Sequence, residues 1–337
     1  MTSPRARMGL LAGALAAVLG GALALAGHLR QPYFSRLPRE VPKVDAHRLR
    51  VNANRLVVSY KPRNSLHPEV LAQAADYLAA ELEASGAAVS RHPFSLGGEK
   101  AQFQNVVARY GPQNGAPLIL VGAHYDAHGD LPGADDNASG VAVLLALGRM
   151  LQYERALNGP VELVAFTLEE RTHLGAGLQG STVHAWKLVQ EKVPVKAMLS
   201  LEMLGTFNDA KGSQTYPFPG LSLLYPDAGN FLAVVAPFWE TGLVRTVKGA
   251  MLGAAGLPVE SINAPGFIRG VHDSDHFPFA QQGFPAAMVT DTAWNRNPRY
   301  HTAADTLDTL DYDRMAEATR GLYAAILALD AERVPAR

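Results

Sequence analysis

The densest group of potential metal ligands lies between Gly122 and Gly140, in the stretch GAHYDAHGDLPGADDNASG. It holds two histidines and four aspartates among four glycines, with an apolar run on each side. Imidazole nitrogens and carboxylate oxygens are common ligands of zinc and related transition metals in proteins. The stretch therefore predicts metal chemistry in a turn between a strand and a helix.

Other acids and histidines follow apolar runs elsewhere in the chain. Because ligands of an open α/β sheet bind beyond the carboxyl ends of its strands, these side chains are expected to share one rim. Taken singly, each could be an ordinary solvated loop residue, and Asp135 and Asp136 could serve only as a helix N-cap. Glu202, however, follows an apolar run, where an unpaired buried carboxylate would be costly. The candidates for a shared cation site are His124, Asp126, Asp136, Glu169, Glu170, Glu202 and His301.

Two divalent cations would balance the charge of this set. Their positive charges are matched by the carboxylates of Asp136, Glu170 and Glu202 together with one bridging hydroxide. His124 and His301 would be neutral ligands. The chain contains no cysteine, so a site of nitrogen and oxygen ligands predicts two Zn²⁺ ions per chain, with Mn²⁺ or Co²⁺ as substitutes.

Two further roles for carboxylates follow from their spacing. Successive side chains of an extended segment point in opposite directions. One of Glu169 and Glu170 could therefore bind metal while the other acts as general base on the bridging water. Asp126, two residues after His124, could orient that imidazole.

Apolar runs that alternate with helical patterns indicate an α/β fold. Helical spacing of apolar residues predicts helices over residues 66–86, 137–154, 172–190 and 312–330. Near-continuous apolar strands predict a central sheet that is covered by helices on both faces. The predicted strands lie in FQNVVARY, PLILVGAHYD, VELVAFTLEE, AMLSLEML and PAAMVTD.

Residues 1–27 form a separate segment. Two arginines precede an uncharged Ala/Leu/Gly run from Gly9 to Gly27, and the ALA at 24–26 matches a small-x-small cleavage site. This pattern is typical of a secretory signal peptide, but the run is close to the roughly 20 residues that span a bilayer. The segment is either a cleaved signal or an uncleaved anchor. Both predict an exported body, periplasmic or secreted, which touches a membrane only if the anchor is kept.

Residues 28–45 carry prolines and are predicted to be a linker, and residues 46–337 are predicted to form a single domain. Within that domain, the region 205–271 is rich in proline, glycine and aromatic residues, and is predicted to be a loop-rich insertion over one end of the sheet. Its aromatic side chains could line an apolar pocket or form the insertion's own small core. They are Phe207, Tyr216, Phe218, Tyr225, Phe231, Phe238 and Trp239.

Composition and motifs exclude several classes of protein. The chain is 48% hydrophobic and 18% charged with a formal net charge of −1, so it is a globular protein without the basic surface that nucleic acid requires. The absence of cysteine excludes disulfides and thiol nucleophiles. No Gly-x-Ser-x-Gly elbow and no His-Glu-x-x-His helix occur, which argues against serine hydrolases and thermolysin-type proteases.

Six short motifs, in this order along the chain, resemble the co-catalytic di-zinc exopeptidases: HYD, GADDNASG, LEE, SLEM, SDH and YHTAADT. That family includes secreted bacterial leucyl aminopeptidases, glutamate carboxypeptidase and glutaminyl cyclase. The resemblance covers about residues 66–330, with the region 205–271 only loosely constrained. It implies a mixed, mostly parallel central sheet flanked by helices, a peptide substrate, and a di-zinc peptidase domain over residues 46–337.

The resemblance also implies a role for each ligand. His124 and Glu202 would bind one zinc, Glu170 and His301 the other, and Asp136 would bridge them. The peptide bond that follows the bridging aspartate is commonly cis in the family. Many family members have aspartate where this chain has Glu202, a change that keeps the charge and adds one methylene.

Other roles implied by the resemblance concern proton transfer and the oxyanion. Glu169 would be the general acid and base, and Asp126 would orient a ligand. Some members place a tyrosine, which stabilises the oxyanion, where this chain has Val271, so His272 and Tyr300 become the candidates for that donor. Asp275 and His276 match the family's SDH motif, although Asp275 could simply cap the helix that follows.

The resemblance favours a metallo-exopeptidase, an aminopeptidase that hydrolyses the N-terminal peptide bond with Glu169 as general base. A carboxypeptidase-type or other amide hydrolase could use the same metal site. A glutaminyl cyclase-like acyltransferase shares the fold but uses a single zinc. A non-catalytic binding domain, as in the transferrin-receptor relatives, would have lost metal ligands, and this chain keeps them all.

Overall fold

One sheet of eight strands organises the chain. A computed structural model describes residues 4–32, 34–37, 39–95, 102–154, 156–170 and 179–332. The strands are β1 (Ala88–Ser95), β2 (Gln102–Tyr110), β3 (Leu118–His124), β4 (Val161–Phe166), β5 (Val195–Glu202), β6 (Leu232–Pro237), β7 (Val259–Ala264) and β8 (Ala286–Thr290). The α-helices are α1 (Pro4–Arg30), α2 (Ala46–Asn54), α3 (Pro68–Glu83), α4 (Gly140–Leu151), α5 (Gly180–Gln190), α6 (Thr241–Ala254), α7 (His276–Gln281) and α8 (Tyr312–Ala331).

The strand order is β1-β2-β4-β3-β5-β8-β6-β7. Strands β4, β3, β5 and β8 are parallel neighbours, as are β6 and β7, whereas β1–β2, β2–β4 and β8–β6 are antiparallel. Ile119 and Val121 of β3 belong to the large core that includes α3, α4 and α8, and Leu118 and Leu120 face α5 and α7 on the other side. The predicted α/β fold, with a mixed, mostly parallel sheet between two helical layers, is confirmed.

Most predicted elements are confirmed. The five predicted strands are β2, β3, β4, β5 and β8, and the predicted helices correspond to α3, α4, α5 and α8. The N-terminal part of the third predicted helix, residues 172–178, lies outside the described residues. Strand β1 was not predicted. It is a largely exposed edge strand that contains a proline, so its sequence lacks the apolar run on which the other strands were predicted.

The prediction of a loop-rich insertion at 205–271 is wrong for much of that range. It contains β6, α6 and β7, and so supplies the last two strands of the sheet. The two strands have only six residues each. The prolines and glycines around them interrupt the alternation of strands and helices in the sequence pattern. Irregular backbone dominates residues 205–231, before β6, and residues 265–271, after β7.

The N-terminal segment contains one helix, α1, that is long and apolar enough to cross a membrane. Its window Gly13–Arg30 has a mean hydropathy of 1.4, and none of it is buried in the body. This is compatible with either a signal peptide or an anchor. Helix α1 runs three residues into the predicted linker 28–45, and Val41 of that linker is buried against the core.

The parallel strands bring the candidate ligands to one edge of the sheet. His124 and Glu202 are the last residues of β3 and β5, and Glu169 follows β4 by three residues. The segment after β8 leads to His301. Because carboxyl ends of parallel strands meet at the same edge, four separate segments converge there.

A buried arginine holds the loop between β3 and α4. The Arg63 guanidinium, almost inaccessible to solvent, donates to the carbonyl oxygens of Leu56 (2.9 Å), Tyr125 (3.0 Å), Pro132 (3.0 Å) and Gly133 (2.9 Å). Burial lowers the pKa of Arg63 to about 10 even though several acids surround it. The side chain thus satisfies buried carbonyls that helices and strands leave unpaired.

Arg63→Met is expected to lower the free energy of unfolding by about 3 kcal/mol or more, because it leaves these carbonyl oxygens buried without donors. Chemical denaturation, followed by circular dichroism, measures the change. Arg55→Met, at an exposed position nearby, is the control and should stay within about 0.5 kcal/mol of the parent. A loss for Arg63→Met no larger than the control's would contradict the assigned role.

Candidate functional site

The turn that carries Asp136 is tied down from both sides. The Asp305 carboxylate accepts hydrogen bonds from the backbone N–H groups of Asp135 (2.9 Å) and Asp136 (3.2 Å). The Asn137 side chain donates to the Leu201 carbonyl (2.8 Å), within β5, and the bond between Asp136 and Asn137 is cis, as the resemblance implied. The turn therefore holds Asp136 against the end of β5.

Asp135 holds other segments to this turn. Its buried carboxylate accepts hydrogen bonds from the Gly205 N–H (2.9 Å), the Thr206 hydroxyl (2.6 Å) and the Asn297 amide (2.8 Å). Burial raises the pKa of Asp135 above its ordinary value, and these donors oppose that rise. Asp135 thus links the turn before α4 to the loop after β5 and to the segment that leads to His301.

The Asp136 carboxylate lies between two histidines. Its Oδ1 is 3.3 Å from His124 Nε2, and its Oδ2 is 3.1 Å from His301 Nε2. The same nitrogen of His124 is 3.5 Å from Glu202 Oε2, and that of His301 is 3.2 Å from Glu170 Oε1. The site therefore consists of two groups of donor atoms that share one carboxylate.

The geometry of each group fits a cation. Tetrahedral ligands at about 2.0–2.1 Å from zinc lie about 3.3–3.4 Å from one another, close to the separations found here. The His124 ring nitrogens, His301 Nε2 and Glu170 Oε1 are buried and lack a hydrogen-bond partner. Buried polar atoms are nearly always paired, so these donor atoms suit a metal ion better than they suit one another.

The electrostatics of the site favour added positive charge. Burial opposes ionisation of Asp136, but His124 and His301 outweigh it and hold the pKa of that carboxyl below its ordinary value. Burial lowers the pKa of His301, yet Asp136 and Glu170 raise it to about 9. Burial also raises the pKa of Glu169 and of Glu202. Acidic groups thus outnumber the positive charges near them.

Asp126 positions two parts of the site at once. Its Oδ1 and Oδ2 each accept a hydrogen bond, at 3.1 Å, from the backbone N–H groups of Glu169 and Glu170. Its Oδ1 is also 3.5 Å from His124 Nδ1. Glu170 faces His301, whereas Glu169 lines the adjoining pocket, so the two neighbouring side chains diverge as their spacing predicts.

His128 was not among the predicted site residues. Its Nδ1 lies 3.2 Å from Glu170 Oε2, and its ring stacks on His301 at 3.9 Å with 11° between the planes. His128, Glu170 and His301 each offer one donor atom within 4.8 Å of the other two, as do His124, Asp136 and Glu202. His128 therefore contacts both Glu170 and His301 and adds a further donor atom to their group.

Of the remaining candidates, Tyr300 and Asp275 lie near the site, whereas His276 and His272 face away from the pocket. Tyr300 stacks on His301 at 3.7 Å and lines the pocket, and buried Asp275 lies within electrostatic range of His124. Asp275 precedes α7 but makes no side-chain capping bond. His276 bonds through its ring to the Val271 carbonyl (2.7 Å), and His272 stacks on Phe277, so neither faces the pocket.

Sequence reasoning misses two residues that position the ligands, although both lie within the SDH and YHTAADT motifs. Ser274, in SDH, donates its hydroxyl hydrogen bond to Glu202 Oε2 at 2.7 Å. Asp305, in YHTAADT, holds the turn of Asp136. Nothing in the local sequence separates these roles from ordinary loop contacts, because each depends on a partner more than 70 residues away.

An apolar pocket adjoins Asp136, Glu169 and Glu202. Three of the aromatic residues whose role the sequence left open, Tyr216, Tyr225 and Phe231, line it, whereas Phe218 and Trp239 are exposed. Other lining side chains come from the strands β6, β7 and β8; they include Val235, Ile262 and Met288. The part of the chain that was expected to be an insertion therefore forms one wall of the pocket.

A model of Peptidase family M28 matches residues 105–326. The chain belongs to this family. The predicted resemblance is thereby confirmed, and so is the predicted class of enzyme, a hydrolase of the metallo-exopeptidase type.

Two relatives differ in how much of their sequence and length they share with this chain. The chain is 41% identical over 300 residues to "Uncharacterized protein YfbL" of Escherichia coli (strain K12), covering 87% of this chain and 91% of that protein. It is 29% identical over 223 residues to "Probable leucine aminopeptidase" of Arthroderma otae, covering 63% of this chain. The match spans about half (53%) of that leucine aminopeptidase.

Two solved structures share the fold of this chain. BSAP, a zinc aminopeptidase from Bacillus subtilis, superposes with a TM-score of 0.66 at 16% identity, covering 86% of this chain and 96% of that one. Porphyromonas gingivalis glutaminyl cyclase superposes with a TM-score of 0.60 at 21% identity, covering 84% and 98%. At such identities the likeness concerns the fold alone, and the fold by itself does not choose between the two reactions.

Asp135→Asn is expected to lower the free energy of unfolding by about 2 kcal/mol, because one carboxylate oxygen becomes an N–H group. In either orientation of the amide, that group faces a donor: the Gly205 N–H, or the Thr206 hydroxyl and the Asn297 amide. Asp130→Asn, at an exposed aspartate in the same loop, is the control and should stay within about 0.5 kcal/mol of the parent. Urea denaturation of metal-free protein measures both. Equal unfolding midpoints for the two variants would contradict the structural role of Asp135.

Proposed function

We propose that the chain is a zinc-dependent aminopeptidase, which hydrolyses the first peptide bond of peptides that carry a free N-terminus. The observation that carries the proposal is the shared carboxylate. Each oxygen of Asp136 lies 3.1–3.3 Å from a different histidine, and each histidine has its own second carboxylate. Membership of M28 and likeness to a leucine aminopeptidase support the same conclusion.

The unpaired buried donor atoms support the fit of two zinc ions, with Mn²⁺ or Co²⁺ as substitutes. His124 and Glu202 would hold one ion, Glu170 and His301 the other, and Asp136 both. When bound, the two ions would polarise the scissile carbonyl and lower the pKa of a water molecule between them.

The side chains around this centre have the positions that proton transfer and orientation require. Half-buried Glu169 lines the pocket together with Asp136, where it can accept the proton of the attacking water and pass it to the leaving amine. Asp126 keeps Glu169 in place through the backbone. Tyr300, half-buried in the same pocket, is the candidate hydrogen-bond donor to the oxyanion, because His272 faces elsewhere.

The pocket suits a large apolar side chain on the first residue of the substrate. Its walls are mainly apolar, with Phe231, Ile262, Ile268 and Met288 next to the acidic centre. Such pockets bind by burial of apolar surface, while a few polar groups fix orientation. The substrate would therefore be a peptide that begins with a large apolar residue.

The exported location also belongs to the proposal. An uncharged helix near the N-terminus, preceded by two arginines, supports export across a membrane to a periplasmic or secreted location. The balanced net charge gives no support for a nucleic-acid partner.

One observation favours a second candidate, a carboxypeptidase-type activity on the same centre. Arg269 lines the pocket with its guanidinium 4.6 Å from the Trp294 ring, where it could bind a substrate carboxylate. A glutaminyl cyclase-like reaction would need only one zinc, and the second group of donor atoms, around Glu170 and His301, argues against it.

Digestion of a peptide mixture with matched free and acetylated N-termini, read by mass spectrometry, distinguishes these activities. The proposal expects residues to be lost from free N-termini only, with large apolar residues lost fastest, and expects chelation to stop the reaction. Trimming from the C-terminus, or formation of pyroglutamate without cleavage, would contradict it.

The Glu169→Gln variant tests the proton-transfer role of Glu169. The substitution keeps the size of the side chain and its ability to form hydrogen bonds, but the amide cannot accept the proton. It is expected to lower turnover at least about a hundredfold and to retain the zinc content of the parent. A variant with near-normal turnover would remove Glu169 from the reaction.

A further inference from the structure

The apolar run of α1 ends where the chain meets the body. Gly27 is the last residue of the uncharged run, and His28 is the first polar residue after it. His28 stacks on Phe238 with ring centroids 3.8 Å apart, and its Nε2 lies 2.7 Å from the Phe238 carbonyl oxygen. Phe238 therefore lies at the level along the helix axis where the apolar run stops.

The junction after His28 is fixed by several contacts. The Arg30 carbonyl accepts hydrogen bonds from Lys248 Nζ (3.0 Å) and the Ser261 hydroxyl (2.7 Å), and Arg30 Nη2 lies 3.3 Å from Glu260. Fully buried Gln31 accepts a hydrogen bond from Arg245 (2.7 Å). A helix joined in this way holds the body in one orientation, unlike a helix on a free tether.

Exposed aromatic side chains lie beside this junction. Trp239 follows Phe238 directly after β6 and is 68% exposed, and Phe267 follows β7 and is 88% exposed. Pro237 and Ala264, the last residues of β6 and β7, are partners in the sheet, so both aromatic groups belong to one corner. Exposed apolar side chains that are grouped on one surface mark protein or membrane contact sites, whereas single ones do not.

We infer that this corner, formed by Phe238, Trp239 and Phe267, lies in the interface of a lipid bilayer that α1 spans. The run from Gly9 to Gly27 is about 28 Å long as a helix, close to the thickness of the hydrocarbon core. Its N-terminal arginines fit the side from which the chain is exported. Tryptophan just beyond the apolar run matches the aromatic belts of membrane proteins. Phenylalanine is common on surfaces that are buried in the interface.

The orientation has a consequence for the pocket. Ile268 and Gly270, which follow Phe267, line it, and Arg30 contacts its outer wall, where Tyr225 and Glu260 lie. One wall of the pocket therefore lies beside the junction with α1, near the bilayer surface that the inference places there. The inference about the membrane itself does not rest on the proposed function.

The absence of cysteine permits a direct test with single-cysteine variants of the full chain. Trp239→Cys and Phe267→Cys, each labelled with an environment-sensitive fluorophore, are reconstituted in vesicles of phosphatidylcholine and phosphatidylglycerol. Both labels are expected to shift to shorter emission wavelength, and brominated acyl chains should quench them. Trp186→Cys, at an exposed position on α5, is the matched control and should show neither effect.

Two results would overturn the inference. Labels at 239 and 267 that behave like the label at 186 would mean that the body stands clear of the bilayer. Recovery of the native protein as a soluble form that begins after Ala26 would mean that no anchor is retained. Peptide cleavage is measured separately on the same vesicles, so its failure would contradict only the proposed function.

Discussion

The site depends on the position of one buried carboxylate, Asp136, between two imidazoles. Three acids, Asp136, Glu170 and Glu202, are withdrawn from water beside the same two histidines, which is unfavourable unless positive charge is placed among them. Without a metal, the histidines are the groups that must supply that charge. Under the proposed function, bound cations would supply that charge.

Much of the surrounding structure holds this arrangement together. Parallel strands bring their carboxyl ends to one edge, but the sheet alone fixes backbone positions and not side-chain directions. Hydrogen bonds from groups that do not face the reaction supply the rest: Asp305 and Asn137 hold the turn of Asp136, Asp126 holds the Glu169–Glu170 turn, and Ser274 fixes Glu202. Outer partners of this kind set the orientation and basicity of ligands, so they matter nearly as much as the ligands.

Sequence reasoning could bring together His124, Glu202 and the Glu169–Glu170 pair because each ends or closely follows an apolar run, and strands of that kind converge in a parallel sheet. Asp136 lies at the start of a helix and was assigned through the resemblance. Sequence reasoning could not identify β6 and β7, since two six-residue runs among prolines carry little periodic signal and gain their stability from pairing with β8 and with each other. For the same reason, the sequence left open whether the aromatic side chains of residues 205–271 line a pocket or form a small core of their own. The position of His128 beside the site could not be predicted either, because it depends on contacts with Glu170 and His301, which are distant from His128 in the sequence.

The measurement that tests the central claim most directly is anomalous diffraction from crystals of the zinc-loaded protein, recorded on both sides of the zinc absorption edge. The structure predicts two anomalous peaks, one between His124 and Glu202 and one between Glu170 and His301, with an oxygen of Asp136 directed at each. A single peak, or a second peak bound by His128 in place of Asp136, would contradict the account of a shared carboxylate.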